Sequence, residues 1–195
     1  MKRKFLVFVA AVVAFASQMS SCSSYNNMVT MDESVAMAWA NVETQYQRRA
    51  DLIPNLVNTV KGYAQHESET LTNVTAARSK ATSINIDPKQ LTKESMAEYQ
   101  AAQGAVSSAL GRLLAVSERY PDLKANQNFI ELQAQLEGTE NRIAVARGEF
   151  NNVTRNYNAQ IRRFPANLIA NYFDFESKPY FEADKSAATA PTVQF

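Results

Sequence analysis

The chain has 195 residues, with 20 Lys+Arg against 19 Asp+Glu, one His and one Cys. That length holds one domain with a sizeable core, at most two. Balanced charge leaves no basic footprint for nucleic acid; one Cys excludes an internal disulfide or a CxxC zinc site, and one His excludes the Glu-x-x-His pair of di-iron bundles.

Lys2, Arg3 and Lys4 open the chain, followed by the apolar run Phe5 to Ala16 and then small and polar residues up to Cys22. A basic head, a short apolar stretch and small residues before a cut make a secretory signal peptide, here residues 1–21. Twelve apolar residues rise only about 18 Å as a helix, against a bilayer core of roughly 30 Å, so a permanent transmembrane helix is the weaker reading. Met19-Ser20-Ser21-Cys22 resembles a bacterial lipobox, with Met where Leu is commonest, in which Cys22 becomes the lipidated N-terminus. The alternative is a free thiol after an ordinary cut. Several acyl chains, palmitate among them, anchor a protein firmly where one alone binds marginally. Ser23 rather than Asp after the Cys points to the outer membrane over the inner. The signal holds three basic and no acidic groups, so the exported part is slightly acidic. Residues 22–31 read as a short polar tether.

The body, residues 32–182, reads as helices. Prolines at 54, 88, 121, 165, 179 and 191 separate stretches rich in Ala, Glu, Gln, Leu, Arg and Lys, and sustained period-2 runs are missing. A first helix is expected from Asp32 to Ala81, capped by Asp32 or Ser34. Its apolar residues Val35, Trp39, Val42, Tyr46, Ile53, Leu56, Val60, Tyr63, Leu71 and Val74 recur largely in steps of three and four. Pro54 removes one ladder hydrogen bond and clashes with the carbonyl four residues back, which predicts a kink rather than a break. Residues 82–89 form a connection.

A second helix runs from Thr92, its N-cap, to Arg119, and carries Ala101, Ala102, Gly104, Ala105, Ala109 and Gly111. All five Gly (62, 104, 111, 138 and 148) fall in helical patterns. Close helix approach is the expected reason, and a ligand-admitting gap the alternative.

The third helix, Asn126 to Arg163, has Phe129, Leu136, Ile143, Phe150, Tyr157 and Phe164 at steps of seven, with Leu132, Thr139, Ala146, Val153 and Gln160 at the offset of three. This is a heptad seam for partner helices. Pro165 ends it, and residues 166–172 suit one more short helix. Phe173, Phe175, Tyr180 and Phe181 suit extended packing against the bundle, and residues 183–195 read as disordered. The expectation is an all-α fold: an elongated antiparallel bundle of three long helices plus a short C-terminal helix.

Around Pro54 the chain reads Gln47-Arg48-Arg49-Ala50-Asp51-Leu52-Ile53-Pro54-Asn55-Leu56-Val57, then Val60-Lys61-Gly62-Tyr63-Ala64 and Glu67. Later come Leu132, Leu136-Glu137, Thr139-Glu140-Asn141-Arg142-Ile143, Ala146-Arg147, Phe150-Asn151, Tyr157-Asn158 and Phe164-Pro165. From Tyr25 to Phe181 this strongly resembles the LemA family of bacterial envelope proteins. Where that family usually carries an N-terminal transmembrane helix, a lipobox stands here. The resemblance implies a membrane-tethered helical bundle with no established catalytic activity.

Arg48, Arg49, Asp51 and Asn55 lie near Pro54. They read either as a partner-docking patch or as a polar network satisfying backbone groups freed by the proline. Glu140 with Arg147, and Asn151 with Asn158, are seven apart beside the seam. They suit a flanking ion pair and register-setting amides. His66-Glu67 fails the HExxH pattern because position 70 is Thr. No G-x-S-x-G, S-x-x-K or Gly-rich phosphate loop occurs, and Trp39 reads as core. No catalytic or metal-binding residue stands out and no cofactor is implied.

The reading is a non-enzymatic, lipid-anchored, periplasm-facing bundle that scaffolds or binds other envelope proteins, compatible with self-association and not directed at nucleic acid. The alternatives are a carrier or sensor of a small apolar ligand on the Gly/Ala face of the second helix, and a hydrolase using Glu67 or Glu140.

Overall fold

In a computed structural model of the chain, residues 2–182 are described, with side chains from Ser23 onward. The expected disorder over 183–195 falls outside these residues, and the expected cleavage after residue 21 and lipid on Cys22 fall where only the backbone is described. Among them the secondary structure is entirely helical: α1 (Lys2–Tyr63), α2 (Ser68–Ser83), a 3-10 turn (Pro88–Gln90), α3 (Lys93–Ser117), α4 (Pro121–Lys124), α5 (Gln127–Arg162) and α6 (Ala166–Tyr172).

The caps explain several boundaries. The Thr92 hydroxyl accepts from the Ser95 N–H at 3.1 Å, and the Ser95 hydroxyl faces the Thr92 N–H at 3.1 Å, a reciprocal capping box at the start of α3. Asn126 caps α5 in one direction only, its Oδ1 accepting from the Phe129 N–H at 3.0 Å.

The first helix departs from expectation at both ends. Residues 22–31, expected as a tether, continue α1, and Met28 among them is buried. Ser34 is no cap: its hydroxyl donates to the Thr30 carbonyl at 2.7 Å, the back-bonding of a residue inside a helix. Burial of Met28, in register with Val35, Trp39 and Val42, carries the helix past the local cap signals.

At the other end α1 passes through Pro54 and stops at Tyr63, so the expected single helix to Ala81 is two. The turn is held from far along the chain. Arg119 donates to the Glu67 carboxylate at 2.8 Å, the Tyr120 hydroxyl approaches the same oxygen at 3.3 Å, and the Asn126 amide donates to the Tyr63 hydroxyl at 2.9 Å. Such tertiary bonds leave no local sequence signature beyond Gly62 near the helix end.

The chain divides into two compact units. The first comprises the chain up to Arg48, with Asp87–Gln90 and Thr139–Lys178. It buries Val35, Trp39, Val42 and Tyr46 of α1, and Ile143, Ala146, Phe150 and Tyr157 of α5. The Trp39 and Phe150 rings meet edge-on at 5.7 Å, a geometry the ring quadrupoles favour. The second comprises Arg49–Ile86, Leu91–Gly138 and the chain from Pro179. Its core joins Ile53, Leu56 and Val60 of α1 to Leu71 and Val74 of α2, Val106, Leu110 and Leu113 of α3, and Phe129 and Leu136 of α5.

The heptad residues Phe129, Leu136, Ile143, Phe150 and Tyr157 are all buried. Phe164 is not: α5 ends at Arg162, and the ring is 81% exposed in the turn that follows. The glycines also depart from expectation. A Cβ built at any of the five meets no atom within 4 Å, so none of them is there for close helix approach.

Candidate functional site

The residues around Pro54 split by face. Arg49 is 2% exposed and turns inward. Its guanidinium donates to the Ser107 hydroxyl at 2.8 Å, the Gln103 side-chain oxygen at 2.6 Å and the Gln103 carbonyl at 3.1 Å. The planar fork of Arg suits this divergent set of acceptors. Arg48, Asp51 and Asn55 are exposed. The backbone group freed by Pro54 is satisfied by a residue outside that patch: Arg78 of α2 donates from Nε to the Ala50 carbonyl at 2.7 Å. The sequence places Arg78 28 residues away from that carbonyl, with nothing local to mark it.

On α5, Asn158 is 3% exposed and holds the segment after α6. Its Nδ2 donates to the Lys178 carbonyl at 2.8 Å, and its Oδ1 accepts from the Lys178 N–H at 2.9 Å. Both backbone groups of one extended residue are thus satisfied by one side-chain amide, as a neighbouring strand would do. Gln100 repeats the device in the second unit, on the carbonyl and N–H of Glu182 at 3.2 and 3.4 Å. Glu140, Arg147 and Asn151 are half-buried on α5 and each is engaged with partners.

Lys178 was not singled out from sequence. Its ammonium is 3.3 Å from the Asp32 carboxylate and donates to the Lys89 carbonyl at 3.1 Å, with the side chain 10% exposed. It therefore ties α1, the 3-10 turn and the C-terminal segment together within the first unit. Burial, reinforced by the negative charges of Asp32 and Glu176, raises the Tyr157 phenol above its ordinary range. Burial also raises the Glu43 carboxyl, while the neighbouring Trp39 pulls it back by less.

Glu67 serves the ion pair with Arg119, and His66 is exposed. Among the described residues no group of three or more His, Cys, Asp or Glu is placed to hold a metal ion. Also among them, no helix is long and apolar enough to cross a membrane.

An open groove of about 670 Å³ runs along α1 and α2 in the second unit, lined by Val57, Lys61, Gln65, Ser68, Leu71, Thr72, Thr75, Ala76 and Ser79. It does not involve the Gly/Ala positions of α3, where an apolar ligand was weighed. Ala102 and Ala109 there are buried, and Gly104 and Gly111 face open space.

A model of the LemA family matches residues 38–195, four fifths of the sequence. The chain belongs to the LemA family. The buried Arg49, the Pro54 segment and the α5 seam all fall inside the matched region. Among curated proteins, this LemA-family chain is similar to magnetosome protein MamQ 2 of Paramagnetospirillum magneticum, at 29% identity over 96% of this chain and 74% of the relative. Magnetosome protein MamQ of Magnetospirillum gryphiswaldense matches at 28% identity, with the same coverage. Protein LemA of Metamycoplasma hominis matches at 25% identity over 82% of this chain and 69% of its own length.

Proposed function

We propose that this LemA-family protein is a non-enzymatic, membrane-anchored interaction module of the bacterial envelope, held by lipid on Cys22 and facing the periplasm. The observation that carries the interaction role is the groove on α1 and α2. Its lining mixes the aliphatic Val57, Leu71 and Ala76 with hydroxyls, an amide and Lys61. An open groove with apolar contacts and hydrogen-bonding groups along it suits an amphipathic helix of another envelope protein. Polar side chains inside the fold support the same reading. Arg49, Asn158 and Glu67 are spent on holding helices, turns and the C-terminal segment.

Two measurements test this. After an alkaline wash of membranes, the full chain is expected to remain in the pellet and Cys22→Ser to be released. Wild-type chain in the supernatant contradicts the anchor. Thr72→Arg, which fills the groove, is expected to abolish recovery of crosslinked partners without lowering thermal stability. Unchanged recovery contradicts the groove.

A further inference from the structure

We propose that the outer face of α6 rests on the membrane surface beside the anchor; this builds on the anchored reading above. α6 is apolar on the wrong side for a surface helix. Ala166 and Ala170, four apart, are buried, whereas Leu168 and Tyr172 on another face are 60% and 80% exposed. Phe164, in the turn before the helix, is 81% exposed, and Phe173 just after it is half exposed. Surface helices of globular proteins show the opposite pattern. A cluster of large exposed apolar side chains marks a contact site.

The place of this cluster in the fold says what covers it. The Phe173 ring lies 4.7 Å from Tyr25, and Phe175 lies 5.7 Å from the same ring. Tyr25 is three residues past Cys22 on α1, about 4.5 Å of helix rise. Whether the anchor is acyl chains on Cys22 or the uncut run Phe5 to Ala16, the chain leaves the bilayer at this end of the first unit. Tyr, Phe and Leu side chains are those that settle at the boundary of headgroups and acyl chains. Arg162 and Arg163 flank the face, but so do Asp174 and Glu176, all exposed. The charges offset one another, so the contact is apolar and does not depend on anionic lipid.

The test uses the full chain reconstituted into phosphatidylcholine vesicles, plain or brominated on the acyl chains near the glycerol. Tyr172→Trp adds an indole to the exposed face, while native Trp39 is fully buried and out of reach of the bromines. In brominated vesicles the Tyr172→Trp chain is expected to lose most of its added emission. Val145→Trp, at a residue 73% exposed on α5 and roughly 25 Å of helix before the end of α5, is expected to lose none. Adding Phe164→Ser and Leu168→Ser to Tyr172→Trp is expected to restore the emission. A chain that floats with the vesicles but shows equal emission in both lipids overturns the α6 contact alone, including the case in which a protein covers that face. A chain that does not float overturns the anchored reading and this inference with it.

Discussion

Arg78 donates from Nε to the carbonyl of Ala50 at 2.7 Å. Ala50 is the residue whose helical partner, four positions on, is Pro54 and has no N–H to give. A proline inside α1 is therefore accommodated by a side chain from α2, and the two helices are coupled at that point.

This coupling is measurable by a double-mutant cycle. Arg78→Leu is expected to cost about 1–2 kcal/mol in urea unfolding, the value of a charge-assisted hydrogen bond whose acceptor is left unsatisfied. In a Pro54→Ala background the restored N–H takes the carbonyl, and the same substitution is expected to cost much less. An equal cost in both backgrounds contradicts the relationship.

The Asn158 clasp predicts a local effect. Asn158→Leu strips the Lys178 N–H and carbonyl of their partners, at a cost of roughly 1–3 kcal/mol. Hydrogen exchange at the Lys178 amide is expected to accelerate well before global unfolding. Unaltered exchange there means the segment is held by other contacts.

The glycines predict a gain. With nothing within 4 Å of a Cβ at Gly104, Gly111 or Gly148, each Gly→Ala is expected to stabilise by up to about 1 kcal/mol through helix propensity. A loss of stability on thermal unfolding restores the close-approach explanation.

Two groups, the half-buried Glu43 and the buried Tyr157, carry a pH dependence. The raised Glu43 carboxyl holds its proton to higher pH in the folded chain than in the unfolded one, whose ordinary value is 4.5. Its contribution is thus fully present below that value and is lost as pH rises through the folded value. Glu43→Gln is expected to gain stability relative to wild type between pH 4 and pH 7, followed by urea midpoints. The raised Tyr157 phenol has the same sign at alkaline pH: stability falls as pH climbs past 10.0, and Tyr157→Phe is expected to flatten that fall.

What the sequence made legible was what repeats. The α5 seam, the Thr92 cap, the Trp39 core position and the short α6 follow from spacing and local caps, because helix burial imposes a period that single residues reveal. The turn at 64–67 was hidden, since its cause is Glu67 meeting Arg119 and Tyr120 from another helix. Arg78 and Lys178 were hidden for the same reason: their partners are distant carbonyls, and nothing in a helix-forming stretch or an extended tail advertises that a side chain will reach one. Asp32 read as a cap and turned out to be the counter-charge of Lys178. The family likeness, carried by the residues around Pro54, reached further than any motif of chemistry.

We propose an anchored interaction module that works through the α1–α2 groove. In-cell photocrosslinking from position 72 or 75 in the full chain tests it most directly, with the same probe at exposed Glu149 as the control. A discrete protein adduct is expected from the groove positions, in the membrane fraction, and is expected to be missing from the control. Identical adduct patterns from all three positions, or none from the groove under any growth condition, contradict it.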